Sequence, residues 1–225
     1  MAHRIEEALV LRAIDFGESD RIVHLLTPDS GRISAIAKGA KRSVRRFPGT
    51  LDLFNHLRVQ IARSRAATLA RLEHTALLAS FPGLRVHPAR FALACYVVEL
   101  LDRLAPEGGG RGEARAVFAF GRAALEAVAS RTPDERLRIF LELRALDALG
   151  LRPELRRCTR CGEAVAGDSG AGFHVSDGGP VCGRCRVPSE ELLPVHLGTL
   201  RALEQGLRFD LDRLDRLALG REALA

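Results

Sequence analysis

Arg32-Ile-Ser-Ala-Ile-Ala-Lys38 is the stretch that decides how the first third of the chain folds. Ile33, Ala35 and Ala37 fall on one face, and Arg32, Ser34 and Lys38 on the other. A repeat of two is that of a strand buried on one side. Upstream lie two more apolar runs, Ala8-Leu-Val-Leu-Arg-Ala-Ile14 and Arg21-Ile-Val-His-Leu-Leu26, divided by the polar turns Asp15 to Asp20 and Pro28 to Gly31. Downstream, alternation resumes in Leu57-Arg-Val-Gln-Ile61 and, across Arg63-Ser-Arg65, in Thr68 to Thr75. Five strands with one long insertion between the third and fourth predict a small barrel of the OB type over residues 1–80. An open five-stranded sheet packed on the following domain is the other arrangement the pattern allows.

From Pro88 the period becomes helical, and the expected architecture is α+β multidomain. A first part of a helical domain spans 81–156 and a zinc element 157–187, with a second helical part over 188–225. Phe91, Ala94, Cys95, Val98 and Leu101 line one helix, which stops before a flexible connector at Pro106-Glu-Gly-Gly-Gly110. A second helix covers Glu113 to Ala129. The third is predicted to start with Thr132 as N-cap, Pro133 in the first position and Glu135 behind it. Gly150 ends it and Pro153 prevents its resumption. Pro188 then opens a further helix carrying Leu192, Leu193, Leu197, Leu200 and Leu203, and a last amphipathic stretch runs from Asp210 through Leu211, Leu214, Leu217 and Leu219.

Four of the five cysteines form two pairs, Cys158-Thr-Arg-Cys161 and Cys182-Gly-Arg-Cys185. Two such knuckles aim four thiolates at one tetrahedral zinc ion, with Gly162 and Gly183 suited to the bends. A redox dithiol fits less well, because the βαβ setting of such motifs is missing and one pair would suffice. Four thiolates fill the coordination sphere, so the expected zinc is structural, one per chain. Cys95 reads as a small buried hydrophobe. Gly167-Asp-Ser-Gly170 resembles the surroundings of a serine nucleophile but reads as a turn, because the spaced His and Asp partners are missing. No phosphate-cradling P-loop, dinucleotide fingerprint or HExxH is found. The reading is therefore of a non-enzyme without a small-molecule substrate.

The loop between the third and fourth strands carries Lys38, Lys41, Arg42, Arg45 and Arg46, five cations with no acid from 38 to 49. Cations so grouped neutralise successive phosphates. The formal net charge of +6 agrees with a polyanionic partner. Aromatic residues make up 5% of the chain, with no Trp, so stacking is not the main source of affinity. Phe47 is open to two readings: a platform for a base, or an anchor tucked against the barrel. Arg12, Arg21, Arg32 and Arg58 either widen the basic surface or simply decorate strands. Neither a secretory signal nor an apolar run of membrane-spanning length is seen, which points to a cytoplasmic protein.

Gly17-Glu-Ser-Asp-Arg21-Ile, Leu25-Leu-Thr, Gly31 to Lys41, Ser80-Phe-Pro-Gly-Leu84, Glu142-Leu-Arg-Ala-Leu and the paired knuckles together resemble the bacterial RecO family of recombination mediators, over nearly the whole chain. The resemblance implies an OB-fold domain, a helical domain and a zinc element. It implies binding of single- and double-stranded DNA, annealing of complementary strands, and help in loading RecA onto strands covered by single-strand-binding protein, with RecR as partner and association with the nucleoid. By position it makes Lys38, Lys41, Arg42, Arg45 and Arg46 DNA-binding residues, with Arg21 and Arg32 as further candidates. Family members continue past Leu217 to Leu224 into one more basic helix, whereas this sequence ends at Ala225. The competing reading is a zinc-braced interaction adaptor whose charge is incidental to its work.

Overall fold

The computed structural model describes residues 2–63, 69–108, 110–165 and 171–211. The chain forms two compact units, 1–133 and 134–225. In the first, β1 (Ala2–Phe16), β2 (Asp20–Thr27), β3 (Gly31–Ala37), β4 (His56–Arg63) and β5 (Ala70–Ala79) close a barrel in the order β1-β2-β3-β5-β4. This is the expected OB-type barrel rather than an open sheet.

Closure depends on β1, whose 15 residues serve two neighbours. Its first half pairs with β4 and its second with β2, and the register shifts between Val10 and Arg12 where it changes partner. The turn into β3 is fixed locally: the Thr27 hydroxyl accepts the Ser30 N–H at 3.1 Å and donates to the Gly31 carbonyl at 3.1 Å. Gly31 takes a φ of +66° there, which a side chain would resist. Alternation along β3 sends Ile33, Ala35 and Ala37 inside with Val10, Leu25, Leu57, Val59 and Leu72.

The seam between β3 and β5 is parallel and short, joining Ala35 to Ala70 and Ile36 to Arg71. Below it, β3 is covered instead by Pro106 and Glu107. The Arg32 N–H donates to the Pro106 carbonyl at 3.1 Å, and Gly31 bridges Glu107. Pro106 to Gly108, read from sequence as a flexible connector, is thus held to the barrel by backbone bonds.

A short α1 (Gly83–Val86), which the pattern did not announce, leads into α2 (Pro88–Leu104) and α3 (Arg111–Ser130). Leu9 and Leu26 point out of the barrel toward them. At Gly121 a β-carbon would lie 2.9 Å from Leu101 Cδ1 and 3.1 Å from Leu9 Cδ1, so glycine permits this close approach of α3. Cys95 is half-buried on α2, and burial followed by the charge of Glu99 pushes its thiol up. No helix among the described residues is long and apolar enough to cross a membrane.

In the second unit, α4 (Glu135–Ala148) is capped by Asp134, which accepts the Leu137 N–H at 2.7 Å. The predicted cap, Thr132, lies too early: Asp134 is the extended residue before the first helical one, and an N-cap must bond two or three residues ahead. β6 (Gly172–His174), β7 (Gly179–Val181) and β8 (Leu193–Pro194) form a small antiparallel sheet, and α5 (Leu197–Gly206) packs on α4. The helix expected from Pro188 starts instead at Leu197. Leu193 and Pro194 pair with β6, and Pro194 lacks the N–H a helix interior needs. Gly206 lies against the fully buried Phe140 ring. The stretch from Leu214 through Leu219 and the Gly167–Gly170 turn lie outside the described residues.

Candidate nucleic-acid interface and metal centre

The loop after β3 folds into successive turns. Arg42 and Ser43 N–H groups both donate to the Gly39 carbonyl, at 3.1 and 3.0 Å, and the Phe47 N–H donates to the Ser43 carbonyl at 3.2 Å. Phe47 then enters the barrel core, 4% exposed, with Leu51 beside it in the same cluster. It is an anchor. Just before it, the Arg46 carbonyl accepts the Thr75 N–H at 3.1 Å, which fastens the loop to β5.

A second fastening comes from the β1–β2 turn. The Asp20 carboxylate accepts the Gly39 N–H at 2.7 Å and the Ser19 hydroxyl at 3.0 Å, and these bonds, the glycine's first, hold its carboxyl below the usual carboxylate range. The Ser19 carbonyl accepts the Lys41 N–H at 3.0 Å. Asp15 meets Lys41 Nζ at 3.1 Å and Arg21 Nε at 3.0 Å. Its carboxyl is lowered first by Lys41, against the opposing effect of desolvation, and then by Arg21.

The seven predicted cations therefore differ in their surroundings. Arg42 and Arg45 are exposed, and their guanidinium groups have no hydrogen-bond or ion-pair partner among the described residues. Lys38 is exposed close to Asp20. Lys41 and Arg21 share Asp15. Arg46 turns back on its own loop, donating from Nη2 to the Lys38 carbonyl at 2.7 Å and lying 5.3 Å over the Phe47 ring. Arg21, Lys41, Arg42 and Ser43 line a groove of about 320 Å³ together with Phe47, Leu51 and one acid, Asp52.

Arg32 stands apart from these six. It is 19% exposed, 3.5 Å from Asp102 and bonded to Glu107; Asp102 also takes His24 Nδ1 at 2.7 Å. These acids tie it into the packing of α2 on the barrel. Arg12 lies 3.9 Å from the same Asp102, while Arg58 is exposed on β4. Asp15, Asp20 and Asp102 were not singled out from sequence. Asp102 lies on α2, far along the chain from the cations it holds, and no local pattern links them.

The four paired cysteines converge, with their sulfurs within 4.8 Å of one another. Gly162 makes the first knuckle's bend with φ +74° and donates to the Cys158 carbonyl at 2.9 Å. Gly183 is not among the left-handed glycines, and the second knuckle closes through the Cys185 N–H and the Cys182 carbonyl at 3.0 Å. Cys158 is buried, which pushes its thiol up. Backbone N–H groups of Cys182, Cys161 and Arg160 outweigh that and bring it down to about 6. Donors aimed at a sulfur favour the thiolate that a cation requires. An all-sulfur set of four fits a soft or borderline ion in tetrahedral geometry and leaves no position for an activated water. Around it, Arg160 braces the element, reaching Asp177 at 3.1 Å, Glu190 at 2.8 Å and the Cys185 carbonyl at 2.9 Å.

A five-stranded OB barrel with a cation-bearing β3–β4 loop, followed by helices and a cluster of four cysteines positioned to hold a metal, defines a modular class of OB-fold protein. Residues 1–81 match the family described as Recombination protein O N terminal, and residues 85–225 match Recombination protein O C terminal. The chain belongs to the recombination protein O family, whose role is in DNA repair and recombination. It is similar to the DNA repair protein RecO of Anaeromyxobacter dehalogenans strain 2CP-C, with 39% identity over 87% of this chain and 75% of that protein. The DNA repair protein RecO of Symbiobacterium thermophilum is 36% identical over 97% of this chain and 85% of its own length. That of Myxococcus xanthus is 37% identical over 90% and 82%.

Proposed function

We propose that this chain is a non-enzymatic mediator that binds single- and double-stranded DNA through the barrel and its basic loop. It anneals complementary strands and helps load RecA onto strands coated by single-strand-binding protein, with RecR as partner. The observation that carries this reading is the exposure of the Arg42 and Arg45 side chains, which have no partner among the described residues, on the loop whose Lys41 and Arg42 line a groove with Arg21. Annealing requires no bond to be made or broken in the protein. It requires that the repulsion between two polyanions be screened while their bases search for partners, and cations free to exchange phosphates supply that.

The cysteines hold zinc, one ion per chain, as a structural staple. The protein works in the cytoplasm on nucleoid DNA. The test is annealing of complementary oligonucleotides coated with single-strand-binding protein, comparing the wild type with a variant in which Lys41, Arg42, Arg45 and Arg46 are replaced by alanine. The variant is expected to lose annealing while keeping its zinc. Full annealing by a folded variant would overturn the DNA-binding reading in favour of a protein-interaction adaptor.

A further inference from the structure

The contact between the β1–β2 turn and the basic loop has an unusual distribution of charge. One carboxylate, Asp15, accepts from Arg21 Nε through Oδ1 at 3.0 Å and faces Lys41 Nζ through Oδ2 at 3.1 Å. Both cations border the groove above Phe47. The Asp15 side chain is 61% exposed, so both ion pairs stand in water, where such pairs are weak and readily exchanged. A phosphodiester carries the same unit charge on two non-bridging oxygens, and it accepts from Arg and Lys in the same manner.

We infer that Asp15 is an intramolecular stand-in for a DNA phosphate: it occupies Arg21 and Lys41 in the free protein and is displaced when a strand enters the groove. This rests on the reading of the loop as a phosphate-binding element. Asp20 has a different task, since it bonds the Gly39 N–H and the Ser19 hydroxyl and so holds the loop's backbone whether or not a strand is present. Arg42 and Arg45, whose side chains pair with no anion among the described residues, make the first contacts. Arg21 and Lys41 join by exchanging one anion for another, which releases fewer counterions than recruiting two unpaired cations. The consequence is a moderated grip. A strand is captured electrostatically yet is continually challenged by an internal competitor, which suits a protein that must let paired strands go.

The full chain carrying Asp15→Asn, and separately Asp15→Ala, tests this against Glu18→Gln. Glu18 is an exposed acid in the turn that follows β1, with no partner among the described residues, so its loss changes net charge equally. Binding of a labelled oligothymidylate is read by fluorescence anisotropy across a salt series, with thermal melting recorded for each variant. Both Asp15 variants are expected to bind about 3- to 10-fold tighter at low salt. The log–log salt slope should steepen by about 0.7 to 1.4, the increment of one or two further phosphates on a single strand. Glu18→Gln should stay within about twofold of the wild type. Equal tightening by Glu18→Gln would reduce the effect to net charge. Weaker or unchanged binding by both folded Asp15 variants would make Asp15 a positioning residue and overturn the inference. Loss of binding in Arg42→Ala/Arg45→Ala together with unchanged Asp15 variants would sink this inference alone. Unimpaired binding by the double arginine variant would sink the loop reading beneath it.

Discussion

Phe47 offers a sharp separation between folding and binding. Its ring is 4% exposed in the barrel core, in a cluster with Leu51, Leu57 and Leu72. Removing such a ring costs roughly 4 kcal/mol, whether taken from about 150 Å² of buried aromatic surface at about 25 cal/mol per Å² or from measured Phe-to-Ala losses of about 3–5. That is a large part of the roughly 5–15 kcal/mol that stabilises a domain, so Phe47→Ala reports on the barrel as a whole. Phe47→Leu is the more discriminating change. It keeps most of the apolar volume, with an expected cost near 1 kcal/mol, and leaves the loop cations where they are. Its affinity for an oligothymidylate should therefore stay within about twofold of the wild type, whereas loss of a stacked base would cost about 1–3 kcal/mol, or about 5- to 150-fold. Urea unfolding gives the stability and anisotropy gives the affinity. A Phe47→Leu protein as stable as the wild type but binding more than about tenfold more weakly would refute the anchor assignment.

Three further outcomes are expected. Arg42→Ala/Arg45→Ala should lower the salt slope for single-stranded DNA by about 1.4, whereas Arg32→Ala, whose guanidinium is held by Asp102 and Glu107, should leave the slope unchanged and lower the melting temperature. Chelation at neutral pH should release one zinc per chain by elemental analysis. It should also remove amide-exchange protection from residues 154–165 and 171–194 while sparing the barrel; because structural zinc contributes on the order of 10 kcal/mol, unchanged protection there would contradict a structural ion. Gly206→Ala would drive a β-carbon into the buried Phe140 ring and is expected to destabilise the second unit by about 1–3 kcal/mol in thermal unfolding. Gly121→Ala meets only Leu methyl groups that can shift, and should cost less.

Local patterns made much of this molecule legible. Alternation in β3 gave its inward face, and the two knuckles gave the four cysteines that converge, because period-two burial and CxxC bends are short-range properties of the chain. What was lost lies between distant segments. Phe47 could not be placed from sequence because a Phe before a Pro has no local signature for facing inward; barrel closure decides it. The ranking of cations was hidden for the same reason: Arg32 and Arg42 look alike in the sequence, but an acid on α2 holds the first and none of the described residues holds the second. At Pro188, a plausible helix start was overridden by pairing of Leu193 and Pro194 with β6, a contact across about 20 residues that composition cannot announce. At Thr132 the error was one of register, since Asp134 two residues on is the better-placed cap.

The Pro106–Gly108 segment bears on solubility. A β3–β5 seam of two residue pairs leaves the lower part of β3 without a strand on the side away from β2, and an uncovered strand edge invites pairing with another chain. Here the chain supplies its own guard: Pro106 and Glu107 lie along that edge, the proline offering a carbonyl but no N–H to extend the ladder, and the glutamate adding charge. Such a guard keeps the edge of one barrel from pairing with the edge of another, so that copies brought close together stay separate.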